Sequence, residues 1–230
     1  MSTSGLLSML FDLLAGSDEY AVIGSLSFLP LTGPYRAPGQ DLDVLIRRDI
    51  FDARKLAFEA AGQLDVLRLR EVAIASASVC SWLLMPKTGF VHLETDEGLL
   101  DIALYDETCS SVDLDLGIGL RLSMAPTMLT RVNRLMWQDQ VYTAAPPEFT
   151  YLTKLAGFWM AMSNGTAQEY ELTKHYADLS RMEPIIDEGF TAELRASIRV
   201  GWARWVFPGI VQRRVNPFAT TEGRPLILGC

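Results

Sequence analysis

Histidine is nearly missing from this 230-residue chain: only His92 and His175 occur, so a multi-histidine metal centre is excluded. Cysteine is scarce as well. Cys80, Cys109 and Cys230 are odd in number and lack metal-ligand spacing, which predicts buried or idle thiols rather than bridges. Positive charge is in deficit. With 20 Lys and Arg against 28 Asp and Glu, the formal net charge of −8 argues against a broad nucleic-acid surface. Arg195, Arg199, Arg204, Arg213 and Arg214 give the C-terminal part a positive bias that reads first as solvated helix faces. No apolar run reaches the length of a membrane span, and no repeat or low-complexity tract is visible. Residues 1–7 lack the basic start and cleavage site of a secretory signal, so a cytoplasmic globular protein is expected.

What is present is an ordered set of small and acidic residues. An apolar strand, Tyr20 to Ile23, empties into Gly24-Ser25, and a second strand then carries Asp41 and Asp43. Side chains at i and i+2 of a strand share a face, so both carboxylates point one way while Leu42 and Val44 point the other. Two like charges held that close call for a cation between them, and hard oxygen ligands suit Mg²⁺, which completes its coordination from water and substrate phosphates. Gly24 allows close backbone approach to a phosphate, and Ser25 adds a hydroxyl and an amide. Asp101 is a third carboxylate in an apolar strand, Leu99 to Leu104. Asp113 and Asp115 repeat the Asp-x-Asp pattern without a Gly-Ser turn before it, and read as the solvent face of a strand with Val112, Leu114 and Leu116 inward.

The order Gly-Ser, Asp-x-Asp, then a later strand Asp resembles the signature of the polymerase-β-like nucleotidyltransferase superfamily. The second half adds Pro147-Glu148, then Lys154-Leu155-Ala156, then Lys174 to Leu179, which is similar to the helical region of abortive-infection-type toxin nucleotidyltransferases and their relatives. Leu172 and His175 depart from that pattern, standing where an arginine and an aspartate are usual. The resemblance implies an α/β (α+β) fold: a mixed β-sheet with flanking helices over residues 1–125, and a mainly helical C-terminal part over 126–230.

It further implies transfer of a nucleoside monophosphate from a nucleoside triphosphate, such as ATP, to an acceptor hydroxyl. Asp41, Asp43 and Asp101 would hold Mg²⁺ or Mn²⁺, Gly24 and Ser25 would cradle phosphates, and Lys154 and Asp178 would complete the catalytic set. The acceptor is left open between a small molecule, a protein and tRNA. A noncatalytic member working through a protein partner is the alternative, and the long gap from Ser25 to Asp41 together with the departures at Leu172 and His175 favour it. Read without the resemblance, Lys154 is a solvated lysine and Asp178 an i,i+4 partner of Lys174. Arg36 could meet a triphosphate or neutralise Asp41 or Asp43. His92 reads as a half-exposed sheet residue, because hard cations prefer oxygen.

The remaining expectations concern elements. Helices are predicted over Leu6–Leu14, over Phe51–Ala61 with an apolar stripe of Phe51, Ala53, Leu56, Ala57, Ala60 and Ala61, over Pro126–Met136, over Phe149–Met162, from Asn164-Gly165-Thr166 to Arg181, and over Thr191–Val206. Strands are predicted over Leu64–Val72, Val79–Met85, Phe90–Thr95 and Gln140–Ala144, with Thr95 to Gly98 as a hairpin turn. Breakers from Pro30 to Gly39 forbid a long helix before Asp41.

Overall fold

The computed structural model describes residues 3–33, 35–39, 41–65, 90–115, 120–164 and 169–202. Among them is one mixed ten-stranded sheet. The elements run α1 (Thr3–Leu14), β1 (Tyr20–Val22), a 3₁₀ turn (Gly24–Ser27), α2 (Leu29–Thr32), β2 (Asp41–Arg47), α3 (Arg48–Ala61), β3 (Gln63–Asp65), β4 (Phe90–Thr95), β5 (Gly98–Glu107), β6 (Val112–Asp115) and β7 (Leu120–Met124). They continue as α4 (Thr127–Thr130), β8 (Asn133–Trp137), β9 (Gln140–Ala144), α5 (Pro147–Asn164), α6 (Glu169–Met182), α7 (Glu188–Ser197) and β10 (Arg199–Trp202).

The strand order is β10-β7-β6-β5-β2-β1-β9-β8, with β4 also beside β5 and β3 beside β4. The long β5 sits at the centre. It pairs in parallel with β2 along one edge, while β4 and then β6 share the other. Alternation sends Leu42, Val44 and Ile46 of β2 into a layer built from α1 and α3, with Leu6, Leu7 and Leu10 fully buried there. The opposite face carries Leu45, Ala103 and Tyr105 into a second layer with Phe149, Leu152, Leu155, Leu179 and Leu194 of α5, α6 and α7. Asp41 and Asp43 lie on this second face, under the C-terminal helices.

Three sequence expectations need correction. Residues 126–136 are not one helix: α4 stops at Thr130, and Asn133–Trp137 is the edge strand β8. Its hairpin to β9 turns through Gln138 and Asp139, with φ of 47° and 67°, the backbone that a two-residue hairpin needs and that pulls the segment into the sheet. The helix expected over Thr191–Val206 is α7, capped by the Asp187 carboxylate, which accepts from Phe190 N at 3.0 Å, and it ends at Ser197. Ser197 Oγ there accepts Ala125 N at 3.1 Å, and the chain continues as β10, antiparallel to β7.

On α3, Phe51 and Phe58 are the buried residues, with ring centroids 4.9 Å apart, and Leu56 is 82% exposed. Two residues are about 200° of helical rotation, so once Phe58 faces the sheet Leu56 must face away. The expected Val79–Met85 strand, most of Leu64–Val72, Cys80 and Cys230 lie outside the described residues.

Candidate active site

The parallel register of β2 and β5 sets Asp43 opposite Asp101, and on the other side of β5 His92 of β4 stands opposite Asp101. Asp41 lies one same-face step before Asp43. One oxygen from each of Asp41, Asp43 and Asp101 falls within 4.8 Å of the others, so the three predicted carboxylates form one cluster. Burial, then repulsion from Asp41 and Asp101, pushes the Asp43 carboxyl up to about 7, and Lys154 and Lys174 only partly offset this. All the donors are hard oxygens whose charges repel one another, a set that fits a divalent cation such as Mg²⁺ or Mn²⁺.

The turn after β1 closes over this cluster. Ile23 N donates to Asp43 O at 2.9 Å, tying the turn to β2, and Gly24 follows with φ 67°. A Cβ on Gly24 would stand 2.0 Å from Asp43 Oδ2. Gly24→Ala therefore meets left-handed strain of about 1–2 kcal/mol together with displacement of the Asp43 carboxylate. The expected outcome is a loss of at least that stability in urea melts, and an Ala variant as stable as wild type would show that the turn does not approach Asp43. Ser25 sits in the same 3₁₀ turn, partly buried. Ser27 Oγ and Thr150 Oγ1 share a buried 2.6 Å hydrogen bond, so the turn is fastened to α5.

Lys154 and Asp178 project from α5 and α6 and meet: Lys154 Nζ lies 2.9 Å from Asp178 Oδ2. Asp178 is fully buried and lies outside the carboxylate cluster. Its Oδ1 accepts from the Tyr35 hydroxyl and from Arg36 Nε at 2.8 Å, and its Oδ2 also accepts from Arg36 Nη2 at 2.8 Å. Burial alone would raise this carboxyl, but Arg36, Lys154 and Tyr35 hold it down at about 2. Tyr35 is pushed up to about 12 by burial and by its bond to Asp178.

Arg36 thus neutralises neither Asp41 nor Asp43 but Asp178. His92, expected as a half-exposed sheet residue, is 16% exposed and bonds through Nδ1 to Asp101 Oδ1. The role of His92 was legible only from the β4–β5 hairpin, since the turn at Thr95 to Gly98 sets His92 across from Asp101. Asp113 is exposed, with Val112 and Leu114 buried as expected.

The fold recurs in solved structures. The crystal structure of the lincosamide antibiotic adenylyltransferase LnuA, lincomycin-bound, superposes with a TM-score of 0.51 over 81% of this chain and 99% of that chain, at 16% identity. The chain has a nucleotidyltransferase fold. The solution structure of the antibiotic-resistance factor ANT(2'')-Ia superposes with a TM-score of 0.50 over 85% of this chain and 91% of that one, at 11% identity. No protein-family model matches the chain, and no curated protein matches it by sequence. Within the nucleotidyltransferase fold, the described residues include no helix long and apolar enough to cross a membrane.

Proposed function

We propose that the protein transfers a nucleoside monophosphate from a nucleoside triphosphate, ATP in the first instance, to a hydroxyl of a small-molecule acceptor. The observation that carries this reading is the convergence of Asp41, Asp43 and Asp101 within 4.8 Å beside the Gly24 turn. The likeness of fold to a lincosamide adenylyltransferase supports ATP and a small acceptor, and the net charge of −8 disfavours tRNA.

In the reaction, the acceptor oxygen attacks the α-phosphorus, the bond from that phosphorus to the bridging oxygen breaks, and pyrophosphate leaves. Asp101 takes the acceptor's proton on the oxygen not bonded to His92, while His92 fixes the orientation of the carboxylate. Asp41 and Asp43 would hold the divalent cation, with Asp101 beside it as the base; when bound, the cation would neutralise the triphosphate and align it for in-line displacement. The backbone of Gly24 and Ser25 approaches the outer phosphates, and Lys154 balances their charge. Asp178, with its donors already in place, holds Tyr35 and Arg36 rather than touching substrate.

The test incubates the protein with ATP, Mg²⁺ and a panel of hydroxyl-bearing antibiotics, reading adducts by mass spectrometry and pyrophosphate release in parallel. Adduct and pyrophosphate in equal amounts, both lost in Asp101→Asn, are expected. Triphosphate binding with no release across the panel, and with none when tRNA or protein acceptors are supplied, would replace transfer by a noncatalytic nucleotide-binding role.

A further inference from the structure

Asp178 carries two cations where one would neutralise it. Arg36 holds it in a two-pronged pairing through Nε and Nη2 and spends Nη1 on Ala37 O at 2.9 Å, so its planar head is committed on three sides. Lys154 differs. Its ammonium reaches Asp178 at 2.9 Å and lies 5.7 Å from the ring of Phe28, just beyond the Gly24–Ser27 turn. A compact ammonium on a flexible stem can trade one partner for another, whereas a guanidinium clamped between Asp178 and Ala37 cannot do so without opening the loop.

We propose that Arg36 is a positioning residue whose pairing with Asp178 releases Lys154 to the triphosphate. The proposal rests on the nucleotidyltransferase reading of the site. With Arg36 and Tyr35 in place, the fully buried Asp178 keeps a cation and three of its hydrogen bonds when Lys154 leaves. Without Arg36, departure of Lys154 would strand a buried carboxylate with only the Tyr35 hydroxyl, a strongly unfavourable state, so Lys154 stays and the phosphates lose it. Arg36 thereby controls nucleotide affinity without touching nucleotide.

The experiment titrates each of the four common nucleoside triphosphates with Mg²⁺ by calorimetry into wild type, Arg36→Gln and the pair Arg36→Gln with Asp178→Asn. Arg36→Gln weakens binding on the order of tenfold, because the competent state with Lys154 free is rarely populated. Adding Asp178→Asn removes the charge that detains Lys154, and affinity returns to within about threefold of wild type although Arg36 is still absent. The paired variant exchanges both charges together, so it keeps the fold and reads the proposal even if Arg36→Gln alone does not fold. A paired variant still about tenfold weak overturns the proposal and makes Arg36 itself a phosphate ligand, as does an Arg36→Gln variant that binds like wild type for the claim of release. No binding of any triphosphate by wild type refutes the reading of the site instead.

Discussion

Asp178→Ala will cost about 3–5 kcal/mol of folding stability at neutral pH, more than any other single truncation at this site. The carboxylate is fully buried between α5, α6 and the segment entering β2, and its loss leaves Arg36 and Lys154 as neighbouring cations with no counter-charge while Tyr35 loses its acceptor. Breaking a buried pair costs more than the pair itself contributes, because the stranded charges were already stripped of water. The pH dependence follows from the sign of the shift. The folded value, about 2, lies below the ordinary 3.8, so the contribution of Asp178 is present above pH 3.8 and is lost as the pH falls through 2. Urea melts between pH 2 and 7 check both statements: wild type converges on the variant as the solution is acidified. Parallel curves, or a loss below about 1 kcal/mol at neutral pH, would mean that the network is a solvated surface pair.

The second large effect runs the other way. Asp43→Asn will stabilise the protein in chelator at pH 8 by about 2–4 kcal/mol. Burial and the charges of Asp41 and Asp101 raise this carboxyl to about 7, so its favourable contribution is complete below pH 3.8 and is lost as the pH rises through 7. The Asn side chain never ionises and escapes that loss. Stability measured in chelator from pH 5 to 9 should therefore decline more steeply for wild type than for Asp43→Asn. Identical slopes would place Asp43 in water, away from Asp41 and Asp101.

The cluster was legible because strand period two and apolar flanks fix which way Asp41, Asp43 and Asp101 point, and the hairpin turn before Gly98 fixes where β5 begins. The surroundings of Asp178 were not. Spacing offered Lys174 as its partner, whereas Tyr35 and Arg36 lie 143 and 142 residues away and arrive only when the loop before β2 packs under α6. For Arg36 the sequence offers a triphosphate, Asp41 or Asp43 as partner, and the fold pairs it instead with Asp178, an acid remote in sequence.

The error at β8 has a local cause. Over five or six residues, Leu135 and its neighbours satisfy helical and alternating patterns alike, and the deciding turn at Gln138 and Asp139 lacks the glycine that ordinarily announces it. On α3 the apolar residues ring the helix, and two phenylalanines seven residues apart settled the buried face over a more numerous set of alanines and Leu56.

A single thermal melt tests the central claim, that the three carboxylates form a metal-dependent triphosphate site. A ligand that binds only the folded state raises apparent stability by mass action. Without a divalent cation, a triphosphate approaching Asp41, Asp43 and Asp101 meets like charge; with one, the same carboxylates become its anchor. Melting wild type and Asp43→Asn against ATP, GTP, CTP and UTP, each with Mg²⁺ or Mn²⁺ and each with chelator, should give a rise for at least one triphosphate in wild type with metal only, and none in the variant. A rise that survives in chelator or in Asp43→Asn, or no rise with any of the four, would contradict the account.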